Sequence, residues 1–243
     1  MFELPDRRRI YLLRHAEAAY VAEDGTVTSD PRQVGLTDTG RVQARKQSAV
    51  LASVPFDRAI CSGLPRTRQT AGIILADREQ PGLEAITALE EIQGGNRDQP
   101  QGSVTEWLQR VANPWAAADQ PEAKFLGGER FVDFAARVTP AFDAIVADPG
   151  WRCLLLVLHG AVNRMIFNHV MGLTWQGRMS IEQDNCCINI IDVDTDTSSV
   201  GADGSAARYL VRAVNLTAYD LNKSGFWLTT MEQTAARIAE TLG

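Results

Sequence analysis

A chain of 243 residues, 45% hydrophobic and 22% charged, is long enough for one sizeable core and ordinary in composition for a globular protein. Its formal net charge of −6 argues against a general nucleic-acid binder, which needs a basic face, and no apolar run reaches the length of a membrane span. Cys61, Cys153, Cys186 and Cys187 sit in or beside apolar strand-like runs without metal-type spacing. With no apolar core of signal-peptide length at the N-terminus, they point to a reducing, cytoplasmic compartment.

The first predicted strand, Ile10 to Leu13, follows Arg7-Arg8-Arg9, which reads as a solvated lead-in, and runs straight into Arg14-His15-Ala16-Glu17. Its consecutive apolar residues mark a strand covered on both faces, and the C-terminal edge of such strands is where ligands bind in open α/β sheets. A loop from Glu17 to Val34 precedes a helix from Asp38 to about Val54; Glu17 reads as a loop or cap residue. Strand Phe56 to Cys61, the turn Ser62-Gly63 and a helix from Pro65 to Ala76 come next, with proline at the favoured first position and Arg66 in the first turn.

Strand Leu83 to Leu89 then delivers Glu90 and Glu91. Adjacent residues of an extended chain point to opposite faces, so one of the two reaches the strand-end pocket, and their spacing from Gly95 favours Glu91. Residues 96–148 carry helices Val104 to Val111 and Arg130 to Val146, with Trp107, Trp115, Phe125 and Phe131 as pocket walls or as helix-packing aromatics. A second doubly buried strand, Arg152 to Leu158, ends in His159-Gly160-Ala161. Two of the three histidines thus follow the two clearest buried strands, and if those strands are neighbours both rings share one edge. His169 falls within the helix Asn163 to Met171 and reads as a plain helix residue. Strand Cys187 to Val193, a polar turn Asp194 to Ala206, a strand Arg208 to Val214 and an amphipathic tail Thr229 to Leu242, docked on the core or on a partner chain, complete the chain.

Taken together these residues resemble the histidine phosphatase superfamily, also called phosphoglycerate-mutase-like. The matches are Arg14-His15-Ala16; Leu36-Thr37-x-x-Gly40-x-x-Gln43-Ala44; Ser62-x-Leu64-x-Arg66-Thr67-x-Gln69-Thr70-Ala71; Leu89-x-Glu91-x-x-x-Gly95; Gly127-Gly128-Glu129; His159-Gly160-Ala161-x-x-Arg164; and Asn185. They occur in the family's order over residues 10 to 193. The resemblance implies a three-layer α/β sandwich with a mostly parallel central sheet, built as a single domain over 1–243 with a helical cap insertion at about 96–148.

The activity implied is a phosphatase for a phosphomonoester of a small metabolite, acting through phosphohistidine without metal or other cofactor. His15 would be the nucleophile and Glu91 the general acid, while Arg14, Arg66, His159 and Gly160 hold the phosphate. Departures from the pattern are Ala16 for the usual glycine, tolerable if its φ is negative, Val21 where the family's mutases carry asparagine, and Gln93 to Pro100 in place of the mutase signature. They favour hydrolysis over a mutase, a protein phosphohistidine phosphatase, or a non-catalytic binding module of the same fold. The insertion and the tail offer surfaces on which a homodimer could form; neither nucleic acid nor membrane is an expected partner.

Overall fold

The computed structural model describes residues 6–20, 28, 30–95, 103–173, 180–194, 207–225 and 227–242. Val21, the segment 96–100 and the turn 195–206 lie outside the described residues. The two apolar runs fold as adjacent parallel strands: in β1 (Arg7–Arg14) and β4 (Cys153–Leu158), Leu12 lies opposite Leu156 and Arg14 opposite Leu158. With β2 (Arg58–Cys61), β3 (Leu83–Ala85), β5 (Ile188–Asp194) and β6 (Arg208–Leu216) they form one sheet in the order β3-β2-β4-β1-β5-β6. The first four strands of that order are parallel, and β5 and β6 extend the sheet antiparallel.

Both faces are covered, as the continuous apolar sequence requires. Ile10, Leu12, Leu154 and Leu156 point to one face, under α4 (Phe131–Ala147) and α5 (Gly160–Val170), whose Phe134, Val138, Phe142, Val162 and Ile166 fill that core. Leu13, Ala59, Leu155 and Val157 point to the other, under α1 (Asp38–Leu51) and α2 (Pro65–Ile74) through Leu51, Ala71 and Ile74. The sandwich is therefore three-layered. Thr37 caps α1 by accepting from Gly40 N–H at 2.9 Å. A Cβ at Gly40 would stand 2.1 Å from the carbonyl oxygen of Glu17, so only glycine lets the helix start sit against the loop after β1.

Several elements differ from the sequence expectation. The strand expected over Leu83 to Leu89 stops at Ala85, and Thr87–Leu89 form a 3₁₀ turn: among the described residues β3 is an edge strand paired by β2 alone, over three residues. Helix α5 begins three residues earlier than expected, immediately after His159. The arginine triplet is not a solvated lead-in. Arg7 and Arg9 make two-pronged ion pairs with the buried Asp194 and Asp192, while Arg8 donates to the carbonyls of Val146 and Asp148 at the end of α4 and lies over the Trp151 ring.

The aromatics between β3 and β4 pack in two groups. Trp115, Phe125 and Phe131 stack on one another with ring centroids 5.1–6.4 Å apart. Trp107, on α3 (Val104–Ala112), lies instead against α6 (Thr230–Leu242), where Val111, Ala235 and Ile238 are buried together with Met231 around them. The amphipathic tail thus docks within its own chain. Among the described residues no helix is long and apolar enough to cross a membrane.

Candidate active site

The parallel register of β1 and β4 brings the two histidines to one edge. His15 N–H donates to Leu158 C=O at 2.9 Å, and the ring centroids of His15 and His159 are 5.2 Å apart. Both side chains are buried. His15 Nδ1 lies 2.7 Å from the carbonyl oxygen of Ala16; a carbonyl only accepts, so the proton sits on Nδ1 and Nε2 keeps its lone pair. Ala16 is outside the left-handed region, and its N–H donates to Thr70 Oγ1 at 3.1 Å, so alanine is accommodated where glycine is usual.

Burial first, then the charges of Arg66 and Arg14, holds the His15 imidazole well below its ordinary pKa. His159 is held down likewise by burial, then by Arg66, His15, Arg14 and Arg137. Both rings are neutral in the fold, whereas in the unfolded chain an imidazole takes up a proton below pH about 6.5. The contribution to stability is therefore fully present above that pH. Below it stability falls by up to about 1.4 kcal/mol per pH unit for each ring. Urea midpoints for wild type and His15→Gln at pH about 7 and about 5.5 check this: the wild type should lose more stability over the interval, and equal losses would contradict it.

Two arginines converge on the rings. Arg14 Nη1 donates to Gln183 C=O at 2.5 Å and Thr230 Oγ1 at 3.0 Å. A Cβ on Gly160 would stand 3.2 Å from Arg164 Nη1 and 3.5 Å from Arg14 Nε, so glycine leaves both guanidinium groups room. Arg66, on the first turn of α2 and only 3% exposed, donates from Nη1 to Pro31 C=O at 2.8 Å and lies 5.5 Å over the Tyr20 ring. Among the described residues, the buried side-chain polar atoms without a hydrogen-bond partner are Arg14 Nε, Arg66 Nε and His159 Nδ1. Buried polar atoms are normally satisfied, and these three belong to the residues gathered around His15.

The two glutamates diverge as the extended chain requires. Glu91 accepts from Ile92 N–H at 3.1 Å and from Ala161 N–H at 3.3 Å, which puts its carboxylate at the positive N-terminal end of α5, two residues from His159. Glu90 turns away and is held by both Nη atoms of Arg32. Arg137 of α4 fixes this segment, donating to the carbonyls of Ala88, Glu90 and Glu91 and to the carboxylate of Glu129.

Sequence reasoning brought His15, His159, Arg14, Arg66, Gly160 and Glu91 to this edge and kept His169 away from it, paired with Asp143 at 2.7 Å. Glu17 supports the start of α1 by accepting from Thr37. What it missed are the supporting residues. Ser62 and Thr67 lie within the matched motif, and their contacts carried no signal beyond it; Arg137 could have been sought as a partner for Glu129; Thr230, far along the chain, left no trace.

The family model of the histidine phosphatase superfamily, branch 1, matches residues 10–202. An adenosylcobalamin/alpha-ribazole phosphatase of Escherichia coli is 27% identical over 188 residues, 76% of this chain and 90% of the relative. A broad-specificity phosphatase of Saccharomyces cerevisiae is 27% identical over 195 residues, 78% and 81% of the two chains. A 2,3-bisphosphoglycerate-dependent phosphoglycerate mutase of Rhizobium etli is 30% identical over 200 residues, 79% and 93%. Among solved structures, the alpha-ribazole phosphatase from Shigella flexneri superposes with a TM-score of 0.65 at 25% identity, covering 85% of this chain and 96% of that one.

Proposed function

We propose that this chain, which belongs to the histidine phosphatase superfamily, is a phosphatase that hydrolyses phosphomonoesters of small metabolites through a phosphohistidine at His15, without a metal cofactor. The observation that carries this reading is the group of three partnerless buried atoms, Arg14 Nε, Arg66 Nε and His159 Nδ1, beside a neutral histidine with a free Nε2. A phosphoryl group would satisfy both guanidinium N–H donors directly and would face His159 Nδ1 as well. The relatives named as phosphatases of adenosylcobalamin/alpha-ribazole and of broad specificity support a small phosphorylated metabolite as substrate. Four free cysteines fit a reducing cytoplasm.

In the first step His15 Nε2 attacks phosphorus in line with the ester oxygen, and the P–O bond to the alcohol breaks as the P–N bond forms. Negative charge on the equatorial oxygens is met by Arg14, Arg66 and His159 in a water-poor site, where fixed charges act strongly. The guanidinium groups thereby supply the electrostatic clamp that other phosphoryl-transfer enzymes obtain from metal ions. Glu91 gives its proton to the departing alkoxide. Its carboxylate then takes a proton from water, whose oxygen attacks phosphorus and breaks the P–N bond, returning His15 and releasing phosphate.

A mutase would instead return the phosphoryl group to its acceptor and needs further cations for the second acidic group of its substrate. The neighbouring Arg32, Arg137 and Arg164 are each already tied to a carboxylate, Glu90, Glu129 and Glu182 respectively, which favours hydrolysis. Thr230 Oγ1 accepts from Arg14 and also contacts Glu182 at 3.0 Å, so α6 steadies one wall of the phosphate cradle. A hydrogen bond to a charged group is worth about 1.5–3 kcal/mol, and water can replace part of it here. Thr230→Val is therefore expected to raise KM about three- to tenfold with kcat nearly unchanged; an unchanged KM would remove α6 from the site.

The test of the function itself is a panel of phosphomonoesters assayed with and without chelator. Release of phosphate that resists chelator and favours small metabolite esters is expected. Conversion of phosphoglycerate isomers without phosphate release would replace the hydrolase reading with the mutase.

A further inference from the structure

The hydrogen bonds behind His159 have only one consistent direction. Thr67 Oγ1 lies 2.8 Å from Leu64 C=O, and since a carbonyl cannot donate, the Thr67 hydroxyl proton is committed there. Ser62 Oγ is 3.0 Å from Thr67 Oγ1, so Ser62 must be the donor in that pair. Its single proton spent, Ser62 can only accept from His159 Nε2, 2.7 Å away. His159 therefore carries its proton on Nε2, and the buried, partnerless Nδ1 is an acceptor. The other two partnerless atoms are guanidinium N–H donors. A phosphoryl dianion offers only acceptors, so it can satisfy both arginines but not Nδ1.

We propose that the site binds a phosphoryl group together with one proton, held between His159 Nδ1 and a phosphoryl oxygen, and that Ser62 and Thr67 are the positioning residues that impose this. The inference rests on the reading of Arg14, Arg66 and His159 as the phosphate cradle. The proton comes from solvent. It sits on the ring as imidazolium or on the phosphoryl group as P–OH, and in both forms the Nδ1···O hydrogen bond and the charge of the complex are the same. The charged and titratable groups facing His159 are Arg66 from α2, Arg14 and His15 from the end of β1, and Arg137 from α4; Glu91 accepts from Ala161 N–H beside it. The cations keep the ring neutral until an anion arrives to balance them, which ties proton entry to phosphate entry.

The relay matters because the opposite tautomer would behave differently. With Nδ1–H facing the cradle, His159 would donate to the dianion directly and no proton would be taken up. Thr67→Val removes the acceptor of the Ser62 hydroxyl proton and frees Ser62 to donate to Nε2. Ser62→Ala removes the group that accepts from Nε2–H. Both release the ring to the Nδ1–H form, whereas Thr67→Ser keeps the relay.

Titration calorimetry of inorganic phosphate at pH ~8.5, repeated in buffers of different ionisation enthalpy, counts the protons. At that pH phosphate is chiefly the dianion. The wild type is expected to take up about one proton per phosphate, and its Kd to rise up to tenfold for each further pH unit. Ser62→Ala and Thr67→Val are expected to bind phosphate with little uptake and a flat Kd over the same range, while Thr67→Ser matches the wild type. Because Glu91 could also gain a proton next to phosphate, Glu91→Gln is included and should retain the uptake. Binding without uptake in the wild type, or uptake lost in Glu91→Gln but kept in Ser62→Ala and Thr67→Val, would overturn the inference while leaving the phosphatase reading in place. Failure of the wild type to bind phosphate at all would overturn both.

Discussion

His15→Ala is expected to lower kcat for phosphomonoester hydrolysis by about 10⁴-fold or more, as removal of a covalent nucleophile does elsewhere. Nε2 of His15 presents a free lone pair at the meeting point of Arg14, Arg66 and His159, because Nδ1–H is held by the Ala16 carbonyl. The arginines keep their own anchors on Gln183, Thr230 and Pro31, none of which involves the imidazole. Inorganic phosphate should therefore still inhibit or bind the variant within about tenfold of wild type, which separates loss of chemistry from loss of fold. Hydrolysis that survives in His15→Ala would mean that water, rather than His15, attacks phosphorus.

Glu91→Gln is expected to have the second largest effect, and its size should depend on the leaving group. Removing a general acid typically costs 10²- to 10⁴-fold when an alkoxide must be protonated to depart, so alkyl phosphates should suffer a loss of that order. A nitrophenyl phosphate, whose phenolate leaves readily, should lose only about tenfold or less in the phosphorylation step. Glu90→Gln is the control next door: it removes the carboxylate held by Arg32, a half-exposed pair worth about 1 kcal/mol or less, and should change kcat by only a few-fold. Equal losses for alkyl and nitrophenyl esters in Glu91→Gln would take the general-acid role away from Glu91, and a steep leaving-group dependence in Glu90→Gln would transfer it there.

How far the sequence could be read follows from what each signal depends on. β1 and β4 were legible because their consecutive apolar residues admit only a strand buried on both faces, and their neighbouring positions then forced His15 and His159 together. Alternation and motif spacing separate Glu91 from Glu90 in the sequence, and in the fold the carboxylates diverge, one to the N-terminus of α5 and the other to Arg32. β3 was overestimated because Leu83 to Leu89 has strand-like residues, whereas the extent of an edge strand is set by its single neighbour. Arg7-Arg8-Arg9 looked solvated because its counter-charges, Asp192 and Asp194, are supplied from β5, nearly two hundred residues away in sequence. The directional relay through Ser62 and Thr67 needed distances, and the contact of Thr230 with Arg14 needed the tertiary placement of α6 on α3.

The most direct test of the central claim is to quench the enzyme during turnover of a ³²P-labelled phosphomonoester and locate the label. The expected result is a transient phosphoenzyme whose label is lost in acid, survives alkali, maps to the peptide containing His15 and accumulates in Glu91→Gln. Turnover at full rate with no label on His15 at any quench time, or label on another residue, would contradict it.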